Sequence, residues 1–157
     1  EAAENVLWQV NYQAPIRLMR QILERNRKIR LVQLSSLAAL CPHPYLAAYS
    51  ASKAALQAYC LALQEELRLK GSEVTVCLYI LGPVRTAIFP PELQDALGGG
   101  QLQMSPEIAA RRIIRLLQQG RSYAIVGKRY RLLAWLMKLL PQRWIIRWIG
   151  AYLRKGL

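Results

Sequence analysis

Residues 29–36 read Ile29-Arg30-Leu31-Val32-Gln33-Leu34-Ser35-Ser36, and residues 37–44 read Leu37-Ala38-Ala39-Leu40-Cys41-Pro42-His43-Pro44. Residues 45–55 follow as Tyr45-Leu46-Ala47-Ala48-Tyr49-Ser50-Ala51-Ser52-Lys53-Ala54-Ala55. The first block is short, largely apolar and partly β-branched, and it follows the basic Arg25-Asn26-Arg27-Lys28. That pattern predicts a strand over 29–35 buried in a parallel sheet. Pro42 and Pro44 make the second block a loop. The third begins an Ala/Leu-rich run free of Gly and Pro until Gly71, which predicts a helix over 45–69.

The alternation continues on both sides. Val74, Val76, Leu78 and Ile80 alternate through 73–80, a strand closed by Leu81-Gly82-Pro83. Upstream, Val6, Leu7, Val10, Ile16, Met19, Ile22 and Leu23 recur at helical spacing over 2–25, with Pro15 expected to kink the helix or reset its start. Downstream, Pro90, Pro91 and Gly98, Gly99 and Gly100 give 84–105 the composition of a mobile flap over a site. Ser105-Pro106-Glu107 then places a cap and an N1 proline at the head of a helix to about 119, and 123–126 is a short strand ended by Gly127. Strands alternating with helices argue for a doubly wound parallel sheet.

Charge divides the chain unevenly. Residues 1–107 hold ten Lys/Arg and nine Asp/Glu, whereas 108–157 hold twelve and none. The net charge of +13 is therefore a property of the last third. Two basic, aromatic-rich helical stretches, 129–140 and 142–155, are split there by Pro141. In the second, Trp144, Trp148 and Tyr152 recur every four residues beside Arg143, Arg147 and Arg154. An amphipathic basic helix of this kind packs on its own domain or a dimer partner, or lies on an anionic membrane surface. No uncharged stretch of the tail is longer than 132–137, far shorter than the roughly 20 residues of a spanning helix. Cytoplasmic or peripheral membrane localisation is expected.

Cys41, Cys60 and Cys77 form no CxxC pair and have one histidine, His43, for company. They are expected to be small buried hydrophobes, with no disulfide framework and no metal site.

The chemistry is concentrated in Tyr49, Lys53 and Ser36. Tyr49 and Lys53 stand four apart on one helix and so share a face. An ammonium beside a phenol favours the phenolate and is expected to pull Tyr49 below its usual pKa of about 10, into the range of a general acid/base. Ser36, thirteen residues earlier at a strand end, has the hydroxyl to hold an oxygen on which charge grows. The Tyr-x-x-x-Lys spacing alone is common by chance in a chain with eight tyrosines and six lysines, so its surroundings decide.

With those surroundings the segment resembles the active-site segment of the short-chain dehydrogenases/reductases, including the strand that ends in paired serines. Asn11, in Val10-Asn11-Tyr12, matches that family's helix-borne asparagine, and Gly82-Pro83-Val84-Arg85-Thr86 resembles its turn after the next strand. The resemblance spans about residues 5–126 and implies a Rossmann-type α/β fold. In that reading 1–127 are the catalytic part and 128–157 a basic helical extension. It further implies hydride transfer between NAD or NADP and a secondary alcohol or ketone. Tyr49 would be the acid/base and Ser36 the oxygen-holding group; Lys53 would also hold the nicotinamide ribose. Asn11 would anchor a water linking Lys53 to solvent, and the Val84 backbone and Thr86 would meet the nicotinamide amide.

The chain departs from the family pattern at Leu81, where a proline precedes the glycine of the turn, and at Ala39, where a glycine is usual. Altered loop geometry is expected there rather than lost activity. It begins at Glu1 without a Met and shows no Gly-rich phosphate-binding turn, so it is expected to be the second part of a longer enzyme. An unpaired sheet edge should then make residues 1–157 alone poorly soluble. The apolar tail and the flap suggest a lipophilic substrate. Tyr45 is expected to line the pocket or pack, and His43 to be exposed or pocket-lining. A fold-retaining scaffold without catalysis is the competing class; a basic nucleic-acid binder ranks below it because the tail carries no recognised readout motif, so no nucleic-acid partner is expected, and a homo-oligomer is left open.

Overall fold

The computed structural model describes residues 1–25, 28–87 and 103–154. Among the described residues three strands, β1 (Arg30–Ser36), β2 (Thr75–Leu81) and β3 (Tyr123–Val126), form a parallel sheet in that order. Arg30 pairs with Thr75 and Ser36 with Leu81 at the two ends of the first ladder; Leu78 to Leu81 pair with Tyr123 to Val126 in the second. Parallel strands need crossover connections. Helix α3 (Ala47–Leu69) lies between β1 and β2 in the chain, and α4 (Pro106–Gln118) between β2 and β3.

Val76, Cys77, Leu78, Tyr79 and Ile80 are all buried, so the sequence alternation in β2 does not mark one wet face: both faces are covered, as in a central parallel strand. They join Met19 and Leu56 in one core. Among the described residues β1 pairs only with β2, and Leu34 on it is exposed.

The N-terminal helix does not simply kink at Pro15. Helix α1 (Ala2–Trp8) passes through a π-helical turn (Gln9–Gln13) into α2 (Ala14–Arg25). The Ala14 N–H donates to Gln9 O, five residues back. Pro15 lacks an N–H, so it cannot return the usual bond to the Asn11 carbonyl, and the widened turn absorbs the defect.

Ser105 caps α4 as its sequence suggests: Oγ accepts from the Ile108 N–H at 3.3 Å, with Pro106 opening the helix. Residues 88–102, most of the expected flap, lie outside the described residues. Its ends meet in an isolated bridge between Val84 and Met104, where Arg85 N–H donates to Met104 O and Met104 N–H to Pro83 O, both at 2.9 Å.

The tail forms two helices, α5 (Lys128–Leu139) and α6 (Gln142–Leu153), that turn at Pro141. Tyr130 and Ala134 bury one stripe of α5; Ile145 and Leu153 bury one of α6. Gly82 and Gly150 allow close approach. A Cβ on Gly82 would meet the Tyr130 ring, and one on Gly150 would stand 3.2 Å from Pro44 Cγ. The tail is thus pinned to the turn after β2 and to the loop before α3.

Candidate active site

Ser36 ends β1 and caps the short 3-10 turn Leu37–Ala39, its Oγ accepting from the Ala38 N–H at 3.2 Å. Tyr49 stands in the first turn of α3 and lines the same cavity as Ser36, near enough for the serine side chain to favour its ionised form. Lys53, one turn on, holds Nζ 5.9 Å from the Tyr49 ring centroid and donates to Leu34 O at 3.5 Å. Ser36 from β1 is therefore brought beside Tyr49 and Lys53 of α3 where the two elements meet.

Asn11 sits in the π-helical turn, and its Nδ2 donates to Ser52 Oγ at 3.3 Å. Ser52 is fully buried and donates in turn to the Tyr49 carbonyl at 2.8 Å. Ser35 Oγ donates to the Lys53 carbonyl at 3.2 Å. These bonds fix the register of α3 against both the N-terminal helix and β1, and so set where Tyr49 and Lys53 point.

A cavity of about 940 Å³ opens over these groups. Ser36, Tyr49 and Lys53 lie on one side of it, and Gly82, Pro83, Val84 and Thr86 on another. Thr86 Oγ1 donates to the Val84 carbonyl at 3.4 Å. The remaining wall comes from the tail: Leu136 and Met137 of α5 and Leu140 just after it, with Trp144, Trp148 and Leu153 of α6. Sequence reasoning missed that wall. Its apolar periodicity was visible, but periodicity names no partner for the buried stripe.

Burial decides the electrostatics. It raises the Tyr49 pKa above the usual tyrosine value, with the Ser36 hydrogen bond as the opposing, smaller influence. The expected depression by Lys53 is not what this geometry gives, because the ammonium stands off the ring and burial also lowers its own pKa. His43 lines the cavity, with Nδ1 2.8 Å from the Cys41 carbonyl, and burial lowers its pKa. Tyr45 neither lines nor packs: it takes a positive φ of 64° and is 62% exposed, outside the cavity wall. The three cysteines are free and buried.

A sequence profile of the short chain dehydrogenases matches residues 1–96, more than half of the chain. The chain belongs to the short-chain dehydrogenase family. It is 33% identical over 93 residues to a hydroxysteroid 11-beta-dehydrogenase 1-like protein of Xenopus tropicalis, covering 58% of this chain and 32% of that protein. It is 30% identical over 149 residues to a probable short-chain type dehydrogenase/reductase, VdlC, of Helicobacter pylori, covering 82% of this chain and 54% of that one. This short-chain dehydrogenase chain therefore spans about a third to a half of the curated relatives it matches. Among solved folds it superposes on a short chain dehydrogenase of Burkholderia cenocepacia, determined in complex with NADP, with a TM-score of 0.70 at 21% identity. That match covers 87% of this chain and 54% of the other. The parallel sheet with its helices is the family's Rossmann-like fold, present in part.

Proposed function

We propose that this chain carries the catalytic part, residues 1–127, and a cavity-walling helical extension, residues 128–157, of an NAD- or NADP-dependent oxidoreductase. Its substrate would be a lipophilic secondary alcohol or ketone. The observation that carries the reading is the convergence of Ser36, Tyr49 and Lys53 on one cavity, with Lys53 Nζ 5.9 Å from the Tyr49 ring and a far wall of leucine, methionine and tryptophan.

The residues present suit the nicotinamide end of such a cofactor: an ammonium on Lys53 for ribose hydroxyls, and the Val84 backbone and Thr86 for a carboxamide, all on the cavity that holds Tyr49. When bound, the cofactor supplies or accepts a hydride. In the reducing direction Tyr49 donates its hydroxyl proton to the substrate oxygen; in oxidation it takes that proton back. Ser36 donates a hydrogen bond to the same oxygen, holding it as charge develops. Asn11 anchors a water on the path by which Lys53 exchanges protons with solvent. The apolar wall excludes bulk water and favours a carbon-rich substrate. The name of the Xenopus relative, a hydroxysteroid dehydrogenase-like protein, supports the lipophilic choice.

The test is nicotinamide absorbance with full-length protein, NADH or NADPH, and ketones of increasing apolar size. Turnover should rise with apolar size, and Tyr49→Phe should lower kcat at least a hundredfold, the scale of a lost acid/base. Turnover confined to small polar sugars would remove the lipophilic assignment. A Tyr49→Phe protein indistinguishable from its parent would favour a scaffold that kept the fold without catalysis.

A further inference from the structure

We propose that the outer face of the α5–α6 hairpin docks on an anionic phospholipid surface, and that the cavity receives its substrate through that contact. The second half of this statement rests on the hydride-transfer reading; the first does not.

A surface helix normally pairs a buried apolar stripe with a polar outer face. The hairpin has the stripe, through Tyr130, Ala134, Ile145 and Leu153, but its outer side is apolar as well. Leu132, Trp135 and Leu139, at helical spacing on α5, are 58%, 57% and 62% exposed. Trp144 and Trp148 on α6 are 66% and 73% exposed. Large side chains grouped in this way mark a surface built to meet something.

Charge selects the occupant. Residues 128–154 contain seven Lys/Arg and no Asp/Glu. Arg131, Lys138, Arg143 and Arg147 are exposed, and Arg143 and Arg147 directly precede Trp144 and Trp148. Basic groups at phosphate level with tryptophan and leucine just below them are the pattern of a helix lying in a membrane interface. A second copy of the same face would bring cation against cation. A nucleic-acid backbone would neutralise the arginines but leave Leu132, Trp135 and Leu139 without an apolar partner. Lying, not spanning, is the geometry: each helix has 12 residues, and among the described residues no helix is long and apolar enough to cross a membrane.

The cavity makes the contact useful. Leu136, Leu140, Trp144 and Trp148 are exposed and also line the cavity. Apolar surface thus runs continuously from the outer face to the chamber holding Tyr49, and a lipid-dissolved ketone could follow it without being released into water.

Flotation of the full-length protein with phosphatidylcholine vesicles, with and without phosphatidylglycerol, tests the docking. Binding should be at least about tenfold stronger on the anionic vesicles, and weaken as salt rises. Two double variants, Trp135→Gln with Leu139→Gln and Arg143→Gln with Arg147→Gln, alter exposed positions outside the cavity wall and should each reduce partitioning about tenfold or more. Tyr49→Phe should float like its parent, which separates docking from turnover. Equal binding to both vesicle types, unchanged binding by both double variants, displacement from vesicles by duplex DNA, or a stable dimer that does not float would each overturn the proposal. Hydride transfer to a vesicle-borne ketone should fall in the arginine variant while transfer to a short water-soluble ketone does not. Parallel loss of both would overturn delivery through the contact. Vesicle binding without turnover of either ketone would sink the enzyme reading and leave the docking intact.

Discussion

The Tyr130 ring occupies the space beside Gly82 so closely that a Cβ there would stand 2.5 Å from the ring carbon Cε1. Tyr130 is 4% exposed, and its hydroxyl donates to the Pro83 carbonyl at 3.4 Å while accepting from Arg129 Nη2 at 2.8 Å. Through this one side chain the tail is joined to the turn that follows β2. Gly82→Ala should therefore cost about 1–3 kcal/mol, the usual scale of overpacking. Tyr130→Ala should cost about 3 kcal/mol by leaving a void. Urea unfolding of the two single variants and the double variant should give strong non-additivity, because removing the ring also removes the clash. Additive losses would mean that the two residues are not coupled.

The pH dependence of turnover follows from burial of Tyr49. Its pKa is raised, so the protonated form needed for reduction persists to higher pH than in an ordinary tyrosine, and reduction should fall only on the alkaline side. Oxidation needs the phenolate and should rise over that same range. Ser36→Ala removes the side chain whose influence lowers the pKa, so both limbs should move to higher pH as kcat drops. A limb that moves to lower pH in kcat profiles would contradict this assignment.

Asn11 is a long-range tie rather than a surface polar group. Its bond to Ser52 Oγ links the π-helical turn to α3 one residue before Lys53. Asn11→Ala should destabilise the fold by about 1 kcal/mol, the net value of one such bond. A double-mutant cycle with Ser52→Ala, read by thermal unfolding, should show coupling of about 0.5–1.5 kcal/mol. Zero coupling would leave the bond without energetic weight.

Cys60 offers an independent check on the core. Burial pushes its thiol up from 9.0 to about 12. Between those values the unfolded thiol ionises while the native one stays neutral, so the folded state holds the extra proton. The contribution is fully present below pH 9.0 and is lost as pH rises through about 12. Iodoacetamide at mildly alkaline pH should therefore label Cys60 only after denaturant is added, as judged by mass spectrometry of the peptide. Rapid native labelling would mean that α3 opens readily.

Much of this was legible in the chain because it rests on local rules. The Ser105-Pro106 start of α4, the alternation of strand and helix, and the face shared by Tyr49 and Lys53 all follow from backbone propensity and a repeat of 3.6 residues. Element ends shifted by one or two residues, since the last hydrogen bonds of a strand or helix depend on neighbours. Pro15 announced a defect but not its form: a missing N–H is compatible with a kink or a π-helical turn, and packing of α1 and the π-helical turn on α3 accompanies the second.

The sequence by itself determined the order of the elements, the parallel sheet and the spacing that aligns Ser36, Tyr49 and Lys53, because short-range sterics and hydrophobic periodicity specify these. Tertiary structure decided the rest. Burial, rather than the neighbouring cation, set the Tyr49 proton, and the fold-back of the tail onto Gly82 and Pro44 turned a basic amphipathic stretch into the wall of the cavity. Desolvation and long-range packing depend on what surrounds a residue in space, which its neighbours in the chain do not encode.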